Sequence, residues 1–243
     1  MPIQLPVTEE QPVDLIVNNN HLATFMCTPQ YLNQLAVGFL WGRKIITSRS
    51  DINVLGACDD MRKIVVRLTH EIDSQILNLE QVLSSGCGSG GYVDEADLLD
   101  QTLKSDFVVS VDFLRRCFQE MYKEAKQYQE TGGIHSAALI DKDKVLDVKE
   151  DVGRHNAVDK VLGTCLMKEY DPAKCALITT GRLSSDMVLK ALGAGIPLIA
   201  TRSIPTTLAL EIAEKTNLTL IGRAQRANPF IYCGGDRIVR RKK

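Results

Sequence analysis

Short runs of alternating apolar and polar residues occupy the first part of the chain, a pattern typical of β-strands. They predict four strands, at residues 13–17, 21–27, 52–55 and 62–68. A stripe of apolar residues at helical spacing lies between the second and third strands and consists of Leu32, Leu35, Ala36, Phe39 and Leu40. Thr28 is expected to cap this helix, with Pro29 in its first position. We therefore expect a small α+β domain over residues 1–108.

Strands alternate with helices in the second part of the chain. Ser110 is expected to cap an amphipathic helix over residues 111–129, which Gly132 and Gly133 end. Strands are then predicted at residues 135–140, 144–148, 175–179, 197–200, 218–221 and 230–232, and helices at residues 154–167, 184–192 and 206–215. The first two strands form a hairpin, and the following strand–helix units pair in parallel with helices on the faces. Residues 109–243 are therefore expected to form an α/β domain with a mixed sheet.

The composition excludes several classes of function. The chain has 243 residues, of which 44% are apolar and 24% charged, as in an ordinary globular protein. A net charge of −1 gives no electrostatic basis for binding nucleic acid or a membrane surface. No apolar run approaches the length of a membrane span, and the N-terminal residues lack the basic and apolar segments of a signal peptide. We therefore expect a cytoplasmic protein that binds neither nucleic acid nor membrane.

One cysteine, Cys87, lies in a segment rich in Gly and Ser at residues 83–92, which predicts a loop. A thiol on such a loop suits a group carrier, although a surface turn with an incidental cysteine has the same composition. The seven cysteines include no Cys-x-x-Cys pair, so the usual zinc signature is absent. We expect reduced thiols and no bound zinc.

Four other cysteines are expected to be structural. Two lie on the apolar faces of predicted helices and should belong to the core, namely Cys117 and Cys165. Two adjoin predicted strands and should be half buried, namely Cys27 and Cys175.

Arginine recurs where the predicted strands of the second part give way to helices. The junctions at residues 150–156, 179–186 and 201–207 each place Arg beside Gly, Ser or Thr at a helix start, and a basic polar loop follows at residues 223–228. Ligands of such sheets bind at the carboxyl ends of the strands, and helix N-termini with Arg suit phosphate. Helix caps and ordinary salt bridges would explain any single junction, but three on one edge favour an anion site. Two histidines, His135 and His155, could line the same cleft.

Several stretches resemble one family closely. They are residues 131–138, 150–160, 181–187, 194–198 and 230–232, and the longest reads Glu150-Asp-Val-Gly-Arg-His-Asn-Ala-Val-Asp-Lys160. The chain resembles the formate dehydrogenase accessory sulfurtransferases (FdhD) over nearly its whole length. The resemblance implies a cytoplasmic homodimer that takes persulfide sulfur from a cysteine desulfurase. It delivers this sulfur to the molybdenum of the bis-molybdopterin guanine dinucleotide cofactor used by formate dehydrogenase.

The resemblance also implies the site residues. The persulfide-carrying cysteine falls on Cys87, and the cofactor-binding loop falls on Arg223, Ala224, Gln225, Arg226, Ala227 and Asn228. Together with the junctions, we expect the cofactor to be bound by this loop and by Arg154, Arg182 and His135, with no resident metal. The family often has Cys-Gly-x-Cys-Gly in its loop, whereas Gly90 stands here in place of the second cysteine. A dithiol relay inside the loop is therefore in doubt, but carriage of sulfur on Cys87 alone is not.

The second domain of the family resembles cytidine deaminases, so we expect a cytidine deaminase-like three-layer domain over residues 109–243. Those enzymes hold zinc with His-x-Glu or Cys-x-Glu and Pro-Cys-x-x-Cys. The corresponding helix starts here read Arg154-His155-Asn156 and Gly181-Arg182-Leu183-Ser184, which lack both the zinc ligands and the catalytic Glu.

Three functions remain open from the sequence. The leading hypothesis is a sulfur carrier and transferase. The second is a chaperone that binds the molybdenum cofactor for formate dehydrogenase, with Cys87 structural or in contact with the metal. The third and weakest is a nucleotide-processing enzyme on a deaminase-like scaffold.

Overall fold

Five strands form the first sheet of the structure, a computed structural model that describes residues 6–73, 82–83 and 98–239. The strands are β1 (Gln11–Val17), β2 (Asn20–Cys27), β3 (Ile52–Ala57), β4 (Lys63–Leu68) and β5 (Val82–Leu83), of which β5 is described by its backbone alone. Their order across the sheet is β3-β4-β1-β2-β5. Strand β1 runs antiparallel to β2 and parallel to β4, and β5 runs parallel to β2. All four strands predicted for this part are confirmed.

A second sheet has six strands in the order β12-β11-β10-β9-β7-β8. They are β7 (His135–Ile140), β8 (Val145–Asp151), β9 (Ala176–Thr179), β10 (Leu198–Thr201), β11 (Thr219–Gly222) and β12 (Phe230–Cys233). The three central strands β9, β10 and β11 pair in parallel, and the other pairings are antiparallel. The predicted mixed sheet is therefore confirmed. A short parallel pair, β6 (Val109–Ser110) with β13 (Ile238–Val239), stands apart from both sheets.

Six α-helices accompany the sheets in the described part: α1 (Leu32–Gly42), α2 (Val111–Glu124), α3 (Lys126–Thr131), α4 (Arg154–Met167), α5 (Ser185–Gly193) and α6 (Thr207–Lys215). Alternate residues of β7 serve two cores, because successive side chains of a strand point to opposite faces. Ala138 and Ile140 pack with the apolar side of α2, and Ala137 and Leu139 pack with α4, α5 and α6. None of the described helices is long and apolar enough to cross a bilayer.

The core that contains Ala137 and Leu139 also includes residues of α1 and buried residues of the first sheet, such as Val13 and Phe25. The two sheets are therefore joined through a shared layer of helices. The domain boundary at residue 108 stays a prediction.

The start of α1 differs from the prediction, because Thr28 does not cap it. The helix begins at Leu32, after Tyr31 in the left-handed region with a φ of 56°. Thr28 is fully buried, and its backbone N donates to the carboxylate of Asp151 at 3.2 Å. Its hydroxyl accepts from the backbone N of Val152 at 3.1 Å. The backbone N and the hydroxyl of Thr28 therefore form long-range hydrogen bonds with residues 151 and 152 and do not cap α1.

The helix predicted over residues 111–129 is two helices. Ser110 caps α2 as predicted, since its hydroxyl accepts from the backbone N of Phe113 at 3.1 Å. Regular geometry stops at Ala125, whose ψ is 77°, and α3 follows at an angle. The carboxylate of Glu150 accepts from the backbone N of Gln127 at 3.1 Å and of Tyr128 at 2.7 Å. This cap from a distant strand stabilises the start of α3 and therefore the break.

The cysteine predictions are partly confirmed. Cys117 and Cys165 are buried in the core as expected. The half-buried positions expected for Cys27 and Cys175 are wrong, because both are buried. Both belong to the hydrophobic core that contains α1 and α4.

Helices α1 and α4 touch at two glycines. A Cβ added at Gly38 would lie 1.8 Å from the carbonyl O of Asp159, and one added at Gly163 would lie 1.9 Å from the carbonyl O of Gln34. Each glycine therefore receives the backbone of the opposite helix, which no residue with a side chain would allow. This contact brings the helix of the first sheet against the helix that begins at the edge of the second sheet.

We expect Gly38→Ala to destabilise the protein by roughly 1–3 kcal/mol or more, because its methyl group forces α1 and α4 apart. Urea unfolding followed by circular dichroism measures this loss. Gly56→Ala is the matched control, since a Cβ at Gly56 meets nothing within 4 Å. The control should change the unfolding free energy by no more than about 0.5 kcal/mol. Equal stability of the two variants would contradict the close helix contact.

Candidate functional site

The strand ends that precede the predicted junctions meet at one edge of the second sheet. His135 is paired with Asp151 across β7 and β8, so the first residue of one strand lies beside the last of the other. The last residue of β9, Thr179, pairs with Ala137 on one side and with Thr201 on the other. The junctions after β8, β9 and β10 therefore share this edge, as the sequence predicted for a parallel sheet.

Backbone hydrogen bonds tie neighbouring junctions together. The backbone N of Arg202 donates to the carbonyl O of Thr179 at 3.0 Å. The backbone N of Arg223 donates to the carbonyl O of Ser203 at 2.8 Å. Each junction is thus fixed by the one before it, and its side chains are displayed from a rigid backbone.

Arg154 and Arg182 stand at successive junctions. Arg154 is the first residue of α4, and its side chain crosses over Gly181: a Cβ there would be 2.8 Å from the Cβ of Arg154. Glycine at position 181 therefore leaves room for the arginine. Arg182 follows directly and is exposed.

The loop predicted to bind the cofactor begins in the left-handed region, with a φ of 48° at Arg223. The guanidinium of Arg223 lies 5.2 Å from the ring centre of Phe230, which is exposed at the start of β12. Ala224 is buried and anchors the loop. The remaining residues, Gln225, Arg226, Ala227 and Asn228, are exposed. The loop is therefore anchored at its first residues and presents the others at the same edge.

Most arginines at this edge are not paired with a carboxylate. Within the described residues, four of them have no carboxylate at ion-pair distance, namely Arg182, Arg202, Arg223 and Arg226. Several buried cations elsewhere do have one, such as Lys160 with Asp151 at 2.6 Å. An uncompensated cluster of guanidinium groups attracts anions and binds phosphate oxygens through paired N–H donors.

Both histidines expected in the cleft belong to the elements that meet at this edge, but only His135 is partly exposed there. His135 is half buried, and its Nδ1 is 3.3 Å from the hydroxyl of Thr180. Burial, and then the charge of Arg154, lower the pKa of the His135 imidazole, so it is neutral at neutral pH. His155 is buried, and the expectation that it lines the cleft is wrong. Its Nε2 lies 3.2 Å from the hydroxyl of Ser184.

Some residues that support the edge had no recognisable signal in the sequence. Thr28 of the first sheet reaches Asp151, and the ammonium of Lys160 donates to the carbonyl O of Thr28 at 3.0 Å. The Thr-Pro pair at positions 28 and 29 is typical of a helix start, which concealed this role. Asn156 also reaches the first sheet, donating to the carbonyl O of Met26 at 2.9 Å. The end of β2 is thereby bonded to the start of α4.

The residues around Cys87 lie outside the described part, but the strand that precedes them does not. Leu83 of β5 pairs with Phe25 of β2, and the two strands run in the same direction. Strand β2 ends two residues later at Cys27, directly before Thr28. Strand β5 therefore leads towards the end of the first sheet that is bonded to the candidate edge.

The described thiols differ in exposure. Burial raises the pKa of Cys27 and of Cys117 to about 12 and of Cys233 to about 11, and the pKa of Cys165 is also raised, first by a hydrogen bond with Cys175. Such thiols hold their protons and are poor nucleophiles. Cys58, in the turn between β3 and β4, is exposed.

A cavity of about 860 Å³ opens at the opposite edge of the second sheet. Phe107, Leu146, Tyr170 and Cys175 contribute to its largely apolar lining. None of these four arginines lines it, so this cavity is separate from the arginine-rich edge. Among the described residues, no group of three or more His, Cys, Asp or Glu could hold a metal ion.

These features define a mixed α/β protein with an arginine-rich edge where strands give way to helices. The FdhD/NarQ family model matches residues 8–239, and the chain belongs to this family.

Relatives agree with the family assignment. The chain is 34% identical over 239 residues to the sulfur carrier protein FdhD of Shouchella clausii, covering 96% of this chain and 90% of that protein. It is 32% identical over 232 residues to the sulfur carrier protein FdhD of Bacillus subtilis, covering 94% and 88%. A crystal structure of a putative formate dehydrogenase accessory protein from Desulfotalea psychrophila is similar, with a TM-score of 0.78, 27% identity and coverage of 96% and 90%.

His155 makes the stability of this region dependent on pH. Burial, followed by the charge of Lys190, lowers its pKa from 6.5 to about 3, while Asp186 opposes the shift and Arg154 and Arg43 add to it. Between these two values the unfolded chain binds more protons than the folded one, so stability falls as the pH is lowered through this window.

We expect His155→Gln to flatten the dependence of unfolding free energy on pH between about pH 4 and 6, by up to about one proton. Urea unfolding at a series of pH values gives the slope. Ser184→Ala is the control, because it removes the hydrogen bond to His155 but no titrating group, and it should keep the wild-type slope. An unchanged slope in His155→Gln would show that His155 titrates normally in the folded protein.

Proposed function

We propose that this chain is a sulfur carrier for formate dehydrogenase. It would accept persulfide sulfur from a cysteine desulfurase on Cys87 and deliver that sulfur to the molybdenum of a guanine dinucleotide cofactor held at the arginine-rich edge. Membership of the FdhD/NarQ family and the names of the relatives support the sulfur-carrying role. The single observation that carries the cofactor role is the cluster of four uncompensated arginines on one sheet edge.

The transfer onto Cys87 is a thiol–persulfide exchange. The Cys87 thiolate attacks the outer sulfur of the desulfurase persulfide, a new S–S bond forms on Cys87, and the S–S bond of the desulfurase breaks. The desulfurase cysteine leaves as a thiolate and takes up the proton that Cys87 gave up. No external oxidant or reductant is needed, and a single cysteine is sufficient, which fits the presence of Gly90 in place of a second loop cysteine.

The ionisation of the other thiols favours Cys87 as the carrier. The buried cysteines with raised pKa values would react slowly, because the thiolate is the nucleophile. Cys58 is exposed, but it lies next to β3, whereas Cys87 follows β5 at the opposite edge of the first sheet.

Chain length supports a role for Cys87 close to the candidate edge. Cys87 is four residues beyond Leu83, and four residues span at most about 14 Å. Leu83 is paired with Phe25, only three residues before Thr28, whose backbone N is bonded to Asp151. The segment that contains Cys87 therefore begins at Leu83, beside the end of β2 that is bonded to the second sheet.

The arginines would bind the phosphates of the cofactor. Arg154, Arg182 and Arg226 present guanidinium groups from two junctions and the loop, and His135 stays neutral beside them. The loop over residues 223–228 would contribute its exposed polar groups to the guanine dinucleotide. Molybdenum is cargo in this scheme and not a resident metal.

We also propose that residues 109–243 form a cytidine deaminase-like domain adapted to this role, and that the chain works in the cytoplasm as a homodimer. The six-stranded mixed sheet with helices on both faces supports the proposed likeness. Arg154 and Arg182 stand at the helix starts where deaminases hold zinc, which would exchange metal chemistry for anion binding.

A cofactor-binding chaperone is the second candidate, because the arginine edge could hold the cofactor without any sulfur on Cys87. The two functions differ only in whether Cys87 carries sulfur.

Cys87→Ser is expected to gain no sulfur when incubated with a cysteine desulfurase and cysteine, whereas the wild type gains one sulfur atom, as intact-mass analysis would show. Formate dehydrogenase matured with Cys87→Ser should be inactive, although the variant should still bind guanine nucleotide. Cys58→Ser is the matched control at an exposed thiol and should behave as the wild type. Active, sulfurated formate dehydrogenase from Cys87→Ser would favour the chaperone.

A further inference from the structure

Arg202 stands in the middle of the anion-binding edge, at the junction after β10. Its backbone is fixed by the hydrogen bond to the carbonyl O of Thr179. The side chain is exposed, and in the described part of the chain no carboxylate lies within ion-pair distance of it. An exposed arginine usually samples many rotamers, but the guanidinium of Arg202 donates to the hydroxyl oxygen of Tyr128. Its charge is therefore held in place without being neutralised.

Tyr128 owes its position to the break between α2 and α3. The carboxylate of Glu150, near the end of β8, accepts from the backbone N of both Gln127 and Tyr128. The ring of Tyr128 packs against that of Tyr122, with ring centres 5.6 Å apart. Glu150, which precedes Asp151 at the sheet edge, thus fixes the position of α3, the helix that carries Tyr128.

The same aromatic pair contacts the loop over residues 223–228. The hydroxyl of Tyr122 donates to the side-chain carbonyl of Gln225 at 3.2 Å. Tyr128 therefore contacts the junction at residues 201–207, and Tyr122 contacts the loop over residues 223–228. The two parts of the edge that present Arg202 and Arg226 are linked through α2 and α3.

We infer that Arg202 is a further phosphate-binding residue of this edge and that Tyr128 is the residue that positions it. This inference rests on the proposed function and adds to it a specific recognition of the diphosphate of the guanine dinucleotide. A guanidinium has five N–H donors in a planar fork, and the phenols of Tyr128 and Tyr122 engage part of that fork. The remaining donors can bind phosphate oxygens. The phenol reduces the conformational entropy that the side chain would lose on binding.

Calorimetry on the full chain with GDP and with guanosine tests this assignment. Arg202→Ala is expected to weaken GDP binding roughly ten- to a hundred-fold, as for loss of one charged phosphate contact. Tyr128→Phe keeps the ring and should weaken GDP binding by a smaller factor. Because Tyr128 acts through Arg202, Tyr128→Phe should have no further effect in the Arg202→Ala background. Guanosine lacks phosphate, so its affinity should be unchanged in all these variants.

Three further variants separate the failure of this inference from failure of the proposed function. Arg182→Ala and Arg226→Ala should weaken GDP binding, and Arg62→Ala, at an exposed arginine directly before β4, should not. If Arg182→Ala and Arg226→Ala weakened GDP binding but Arg202→Ala kept the wild-type affinity, the role of Arg202 would be overturned and the proposed cofactor site would stand. If Tyr128→Phe weakened GDP binding by the same factor in the wild-type and the Arg202→Ala backgrounds, Tyr128 would not be the residue that positions Arg202. No GDP binding by the wild type would overturn both the inference and the proposed cofactor site.

Discussion

The close contact between α1 and α4 is the constraint on which the rest of the structure depends. Gly38 and Gly163 let the two backbones meet, and this contact places the first sheet against the helix that starts at the edge of the second. Without it, the end of β2 would not reach Asp151, and the junctions would lose the support of Thr28. The relation between the strand that precedes Cys87 and the arginine-rich edge is thus set by two glycines that carry no functional group.

Buried ion pairs tie α4 to β8 and to α5, and tie the end of α1 to α5. Three cations, Arg43, Lys160 and Lys190, are buried with three carboxylates, Asp151, Asp159 and Asp186. Burial raises the pKa of Asp151 and of Asp159, and the ammonium groups beside them oppose that shift. A buried charge without its partner is strongly destabilising, so the helices cannot slide past one another without losing these pairs. The paired interior stands in contrast to Arg182, Arg202, Arg223 and Arg226 at the edge, which have no carboxylate partner among the described residues.

The sequence predicted the elements well because their signals are local. Alternation and helical stripes identified the strands and most helices, and the Arg-containing junctions at residues 150–156, 179–186 and 201–207 correctly indicated a shared edge. The misses involve long-range bonds. Thr28 reads as a cap but bonds to Asp151, and the break at Ala125 depends on Glu150, which is 25 residues away. Gly38 reads only as a weak helix former, because the helix that fills its space lies more than a hundred residues further along.

Sulfur transfer as proposed requires Cys87 and a guanine nucleotide at the arginine edge to lie within reach of each other. Affinity labelling with a GDP derivative that carries a bromoacetamide group on a short linker from its terminal phosphate measures this proximity. We predict alkylation of Cys87 in preference to the exposed Cys58, with protection of Cys87 by excess GDP. Labelling of Cys58 at an equal rate, or labelling of Cys87 that GDP does not suppress, would contradict the claim.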